Sequence, residues 1–444
     1  MTEKRYTVGL YTLGCKVSSY ETEAVAEAFA DAGYEIRSFG EVCDIYVINT
    51  CTVTAESDAK SRKYIRRAVR MNPQAKVIVM GCYSQRSPRE VAEIEGVSAV
   101  IGTANKLSVV KLAADLLTGG EKTVSVPSLV GAEFEKMTVR HAPRTRGYVK
   151  IEDGCECKCS YCAISDARGP VRSKPMADVI AEVQALRRSG TREVVLTGIE
   201  TGSYGSDFDY GCDLADLILE LDRLKATDRI RLGSMAPEFL SERLVSRIVG
   251  CEIMVPHFHI SMQSGSTSVL NRMRRRYTRE TAMKNIALIR RLMPRVMLTA
   301  DLMVGFPGET EEEFLDTVSF VREAELLDSH VFAYSMRAGT PAALMPWQID
   351  PEVKHDRSVR LMAVQREVRD SVLSGVVDEA YPLPSVFETR RGREYTGHSD
   401  SYIEVRCESS SDIRGDIINV IPVYHKDGVL YTKIGNNNNY CLQK

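Results

Sequence analysis

The chain has 444 residues, 44% of them hydrophobic and 27% charged, with a formal net charge of −2. That length suits about three domains, and the balanced charge excludes a globally polybasic binder, so any polyanion contact must come from local patches. The start, MTEKRYTVGLY, lacks the sections of a signal peptide, and no apolar run approaches the roughly 18 residues of a membrane helix. A soluble cytoplasmic protein without membrane contact is expected. Its twelve cysteines then point to metal or redox chemistry rather than a disulfide framework.

In chain order, YTVGLYTLG reads as a strand, followed by a helix whose apolar face holds Ala24, Ala26, Phe29 and Ala30. CDIYVINT is a second strand, 56–71 a helix and KVIVMG a third strand. Strands alternating with helices predict a parallel sheet covered on both faces, here a domain over 4–118. The stretch 119–140 carries Gly, Pro and scattered charge without periodicity and reads as a linker. From 141 to 371 the alternation returns, with strands at YVKIE, EVVLTG, RIRLG, FHISM, MLTADLMVGF and HVFAYS. Helices are expected at 176–188 and 213–224, and Thr310 with Glu313 forms a capping box. These β/α units suit either a partial barrel or an open doubly wound sheet. Over 374–444 short β-rich segments, with Asp427-Gly428 as a hairpin turn, predict a small β-barrel. The closing GNNNNY reads as a mobile tail.

Cys15, Cys51 and Cys82 each follow the carboxyl end of a predicted parallel strand, where ligands bind in open α/β sheets. They are candidates for one shared metal site. Cys43, Cys212, Cys251, Cys407 and Cys441 are expected to be buried small hydrophobes. The stretch GCECKCSYC places Cys155, Cys159 and Cys162 at x3 and x2 spacings. No second cysteine or histidine pair follows to complete a structural zinc site. Three thiolates suit a cubane iron–sulfur cluster with one open iron. Cys157 is an additional thiol in this loop.

The Cys-x3-Cys-x2-Cys loop with Tyr161 before its last cysteine resembles the signature of the radical S-adenosylmethionine (SAM) superfamily. TLGCK, VINTCTVT, GCYSQ, DGCECKCSYCAI, QSGSTSVLNRMRRRYT and DLMVGFPGETEEEF extend the resemblance to the methylthiotransferase family over nearly the whole chain. The resemblance implies a flavodoxin-like first domain, a partial barrel and a C-terminal TRAM domain. It implies two [4Fe–4S] clusters, one on Cys15, Cys51 and Cys82 and one on Cys155, Cys159 and Cys162. SAM would chelate the open iron of the second cluster and be cleaved by one-electron reduction to a radical. A second SAM would methylate sulfur held at the first. By analogy Tyr161, Gly198, Glu200 and Gln263 face SAM, and a flavodoxin- or ferredoxin-type protein donates the electron.

GCKVSSYET resembles the branch acting on N6-threonylcarbamoyladenosine beside the tRNA anticodon, although Ser18 and Ser19 replace its Asn-Gln. The alternatives are isopentenyladenosine in tRNA, an aspartate of a ribosomal protein, and a zinc-stabilised RNA-binding protein that is no enzyme. Basic segments suit tRNA: Arg62, Arg66 and Arg70 share one helix face, which carries no acid of its own. Arg272, Arg274, Arg275 and Arg276 form a denser patch, expected to contact RNA or a substrate carboxylate.

Overall fold

The structure, a computed structural model, describes residues 5–142 and 145–435. The terminal asparagine run read as a tail, and Cys441 with it, lies outside the described residues.

The first domain is a parallel sheet of β1 (Thr7–Thr12), β2 (Glu35–Arg37), β3 (Ile45–Thr50), β4 (Lys76–Gly81), β5 (Val97–Ile101) and β6 (Thr123–Ser125), in the order β2-β1-β3-β4-β5-β6. Every residue of β3 is buried, as a central strand covered on both faces requires. The helix Lys16–Asp31 packs through Tyr20, Ala24, Val25 and Phe29; Ala26 is half-buried and Ala30 exposed, so its core stripe is displaced from the alanine pattern. The stretch expected as a linker does more than connect. It adds β6 to the sheet edge and buries Leu129, Met137 and Val139, with Tyr20 Oη donating to the Met137 carbonyl at 2.6 Å.

The second domain holds β7 (Arg146–Lys150), a short antiparallel pair β8 (Glu152–Asp153) and β9 (Arg172–Ser173), then β10 (Glu193–Thr197), β11 (Arg229–Leu232), β12 (Ser234–Met235), β13 (His257–Gln263), β14 (Met297–Val304) and β15 (Asp328–Ala333). Two parallel arcs, β11-β10-β7 and β12-β13-β14-β15, make an open barrel that breaks at Gly233. A doubly wound sheet is thereby ruled out. The expected helices form at Met176–Arg188 and Leu214–Arg223, and the Thr310–Glu313 capping box is present. A helix over Pro351–Glu379, unread in the sequence, runs along β15 and leads to the third domain.

There β16 (Leu383–Arg391), β17 (Glu394–Ser399), β18 (Glu404–Glu408), β19 (Ile417–Lys426) and β20 (Val429–Ile434) close a barrel in the order β16-β17-β18-β20-β19. Asp427 and Gly428 turn between its last strands with φ of 51° and 78°, the left-handed pair a tight hairpin needs. Among the described residues no helix is long and apolar enough to cross a membrane.

Candidate metal centres and cofactor pocket

Parallel strands end on one edge of the first sheet, and the three cysteines sit there. Cys15 caps the helix Lys16–Asp31, Cys51 follows β3, and Cys82 opens a short helix after Gly81. Gly81 has φ +105°, and a Cβ there would lie 2.4 Å from Asn49 Oδ1, so only glycine fits the turn. A Cβ on Gly14 would stand 3.3 Å from Cys51 Cβ, which puts the Cys15 loop against Cys51. Burial pushes the Cys82 thiol up to about 11, Arg168 opposes this, and the nearby thiols of Cys15 and Cys51 add to the push.

Arg168, from the radical domain, is the partner sequence reasoning missed. Its Nε donates to Cys82 Sγ at 3.1 Å, and its Nη1 meets Glu21 at 2.5 Å with no solvent exposure. Lys106 and Lys150 also reach Glu21, and Lys150 reaches Asp153. Burial alone would raise Glu21, but these three cations hold it well below the usual carboxylate range. Cations outnumber carboxylates in this buried cluster, and a metal-bound thiolate on Cys82 would supply the missing negative charge. The donor set fits an iron–sulfur cluster.

The second cysteine loop hangs on the segment 272–277. Ser160 bonds the Met273 and Arg272 carbonyls at 3.0 and 2.8 Å, and Arg276 donates to the Glu156 carbonyl at 2.9 Å. Arg275 donates to Cys159 Sγ at 3.1 Å and to the Ser261 carbonyl at 3.2 Å, while its Nε meets Tyr277 Oη. Cys155 accepts from the Cys157 amide at 3.5 Å and Cys162 from the Ile164 amide at 3.3 Å. Hydrogen bonding to the Cys155 thiol draws Cys157 down to about 7, with burial opposing.

Acids stand beside this loop, with Glu200 and Glu238 near Cys157. Burial raises Glu200 to about 8 and raises Glu152 well above its ordinary range. Glu152 Oε1 and Glu238 Oε2 are buried without a hydrogen-bond partner. Such a wall fits the ammonium and sulfonium of SAM. Gly198 has a packing reason to be glycine, since a Cβ would fall 2.4 Å from Glu152 Oε2. Gln263 ends β13 at a register irregularity with φ +68°, a conformation unusual outside glycine. Tyr161 packs edge-on against Phe306.

The four arginines of 272–276 are not gathered into one site. Arg272 is paired with Glu313 at 2.6 Å, Arg274 supplies a left-handed turn (φ 58°), Arg275 holds Cys159 and Arg276 holds the loop backbone. The basic helix face is also altered by its neighbours. Arg62 pairs with Glu90 at 3.1 Å, and Arg66 and Arg70 share their cleft with Glu93 and Glu95. These acids come from the short helix Pro88–Ala92 and the turn after it, which is why the face appeared acid-free in sequence. Of the cysteines expected to be buried, Cys43, Cys251 and Cys407 are, while Cys212 is half-buried.

Residues 149–321 match the radical SAM superfamily and 7–102 match an uncharacterised protein family, UPF0004. A relative from Bacillus subtilis, threonylcarbamoyladenosine tRNA methylthiotransferase MtaB, is 40% identical over 93% of both chains. The MtaB of Aquifex aeolicus is 33% identical over 93% of this chain and 99% of its own. A tRNA-2-methylthio-N(6)-dimethylallyladenosine synthase from Alkaliphilus oremlandii is 32% identical over 94% and 90%. In fold the chain is similar to TsrM, a radical SAM methyltransferase from Kitasatospora setae, with a TM-score of 0.57 at 17% identity over 77% of each chain. With this similarity running through both matched segments and into the C-terminal barrel, the chain belongs to the radical SAM methylthiotransferases, enzymes that work with [4Fe–4S] clusters and S-adenosylmethionine.

Proposed function

We propose that this enzyme places a methylthio group on carbon 2 of N6-threonylcarbamoyladenosine at position 37 of tRNA, with SAM as both radical source and methyl donor. The observation that carries the reading is the 40% identity to the MtaB of Bacillus subtilis, against 32% for the dimethylallyladenosine synthase of Alkaliphilus oremlandii, at similar coverage. The setting is the cytoplasm, and a flavodoxin- or ferredoxin-type protein is the electron donor.

In this reading Cys155, Cys159 and Cys162 hold the radical cluster and Cys15, Cys51 and Cys82 the auxiliary one. When bound, the clusters and SAM supply the one-electron chemistry, sulfur and methyl group that replace an unreactive hydrogen. The protein's own part is positioning. Arg275 and Arg168 each point an N–H at a ligand sulfur, at 3.1 Å, and so orient Cys159 and Cys82. Glu200, beside Gly198, offers a carboxyl to the cationic end of SAM, with Tyr161 and Gln263 on neighbouring walls.

Trp347, the chain's sole tryptophan, is 80% exposed. Its loop follows the turn Pro341–Leu344, where the Ala342 amide donates to the Ser160 carbonyl at 2.8 Å. An exposed indole beside the radical loop suits the splayed bases of an anticodon loop. The test compares tRNA anticodon stem-loops bearing threonylcarbamoyladenosine, isopentenyladenosine or plain adenosine, read by nucleoside mass spectrometry. Turnover confined to the first supports the reading; equal turnover, or preference for the isopentenyl base, ends it.

A further inference from the structure

Between the open edge of the barrel, the start of the helix Lys16–Asp31 and the C-terminal domain lies a cavity of about 210 Å³. That is the volume of about seven waters at about 30 Å³ each, enough for a group the size of an amino acid. Four of the chain's seven histidines line it: His257, His259, His330 and His398. Tyr402 forms its floor in a left-handed conformation, φ 69°. The guanidiniums of Arg146 and Arg231 lie 5.3 and 4.8 Å from the Tyr402 ring centroid, and His257 and His398 pack on the same ring.

The acids here are already occupied. Asp301 is held between His259 at 3.2 Å and His330 at 3.1 Å, Asp328 is paired with Arg369, and Glu404, also in the lining, lies 4.0 Å from Arg406. Donors are not. Lys16, on the cavity wall, makes no hydrogen bond or ion pair with any described residue. Arg231, bound to Glu193 at 2.9 Å, keeps a buried Nη1 without a partner, and His257 Nδ1 is also unpartnered, a donor or an acceptor according to the ring's tautomer. Among the described residues Lys16 is thus the lining cation without an ion-pair partner, and beside the free Arg231 N–H it suits an anionic acceptor.

His259, Asp301 and His330 also offer three donor atoms within 4.8 Å of one another, as a metal site would. Lys16 and Arg231 on the same wall oppose a dication. The hydrogen bond to Asp301 also raises His330, favouring imidazolium over a free ligand nitrogen. Lys16 ties the cavity to the first cysteine set, since it follows Cys15, and His259 lies two residues along β13 from Ser261, whose carbonyl accepts from Arg275.

We infer that this cavity takes the carboxylate-bearing N6 substituent of the adenine, with Lys16 and His330 as its cationic partners. The inference rests on the threonylcarbamoyladenosine reading and moves the carboxylate site away from the arginines of 272–276. Charge-assisted bonds of this kind favour the acid over a neutral analogue by about tenfold to a hundredfold.

The test uses the cluster-loaded enzyme, the Lys16→Met variant and the His330→Gln variant, with iron content checked in each. N-carbamoyl-L-threonine and its methyl ester are titrated by calorimetry, and stem-loops bearing threonylcarbamoyladenosine or its methyl ester are compared by kcat/KM. The pocket predicts an acid preference of about tenfold or more in the wild type, reduced toward unity in both variants. Absent or equal binding of acid and ester by the wild type, or an undiminished preference in both variants, overturns the pocket. An intact acid preference without turnover of threonylcarbamoyladenosine RNA instead overturns the substrate reading and leaves the anion pocket standing.

Discussion

Arg275 donates to Cys159 Sγ, whereas Cys157, two residues earlier, is influenced most by a hydrogen bond with the Cys155 thiol. In the proposed assignment Cys159 is a cluster ligand and Cys157 is not. Cys159→Ala is expected to abolish reductive cleavage of SAM and leave about four irons, one cubane, in the N-terminal domain. Cys157→Ala is expected to keep about eight, two cubanes. Iron analysis with 5′-deoxyadenosine detection distinguishes the outcomes, and full cleavage by the Cys159 variant refutes the assignment. Arg168 gives a second residue-scale expectation. Replacing it with Met removes the hydrogen bonds it gives to Glu21, Asp153 and Cys82 in a site closed to water, and breaking a buried pair costs about 3–5 kcal/mol. A marked fall in thermal midpoint is expected. An unchanged midpoint in that variant contradicts the energetic role given to this cluster.

Among the elements, the helix Pro351–Glu379 carries one glycine, Gly375, near its end, and a Cβ there meets nothing within 4 Å. Gly375→Ala therefore removes backbone entropy from the unfolded chain without a clash. A gain of about 0.5–1 kcal/mol is expected, read as a raised unfolding midpoint. A loss would mean that the helix end is packed more closely than its open surroundings show. The loop holding Trp347 makes a further expectation at this scale. If its indole stacks on a base, tRNA quenches the fluorescence of this sole tryptophan, and Trp347→Ala weakens tRNA binding by about 1–3 kcal/mol. Unchanged affinity would place the RNA elsewhere on the rim.

Across the whole molecule, the C-terminal barrel is tied to the base of the radical barrel by Arg146, Glu388 and His398, and by Arg231, which reaches the Ser399 carbonyl. Burial would raise Glu388, but His398 and Arg146 overcome it and hold the carboxyl at about 2, below its ordinary 4.5. Such a group stabilises docking fully above its unfolded value and loses that contribution as pH falls through its folded value. Docking is therefore expected to weaken between about pH 4.5 and 2, seen as increased amide exchange at Tyr402 and its neighbours. Constant protection through that window would show that these ions do not hold the domains together.

The cysteine spacings, the strands that precede Cys15, Cys51 and Cys82, the Thr310–Glu313 box and the Asp427-Gly428 turn were all legible in the sequence. Each depends on residues a few positions apart, where periodicity and turn chemistry act. The choice of an open barrel over a doubly wound sheet came from family resemblance, since both use the same alternation of strand and helix. Other features required the tertiary structure. Arg168 meets Cys82 across 86 positions and Glu21 across 147, and nothing local marks a buried ion's partner. The acid-free face of the basic helix acquired Glu90, Glu93 and Glu95 from a neighbour, and the supposed linker became an edge strand once β5 stood beside it. Lys16 could be read as part of a motif, but its place in a histidine-lined cavity follows only when three domains close around it. Short-range order is written in neighbouring residues, whereas electrostatic partnership depends on which surfaces packing brings together.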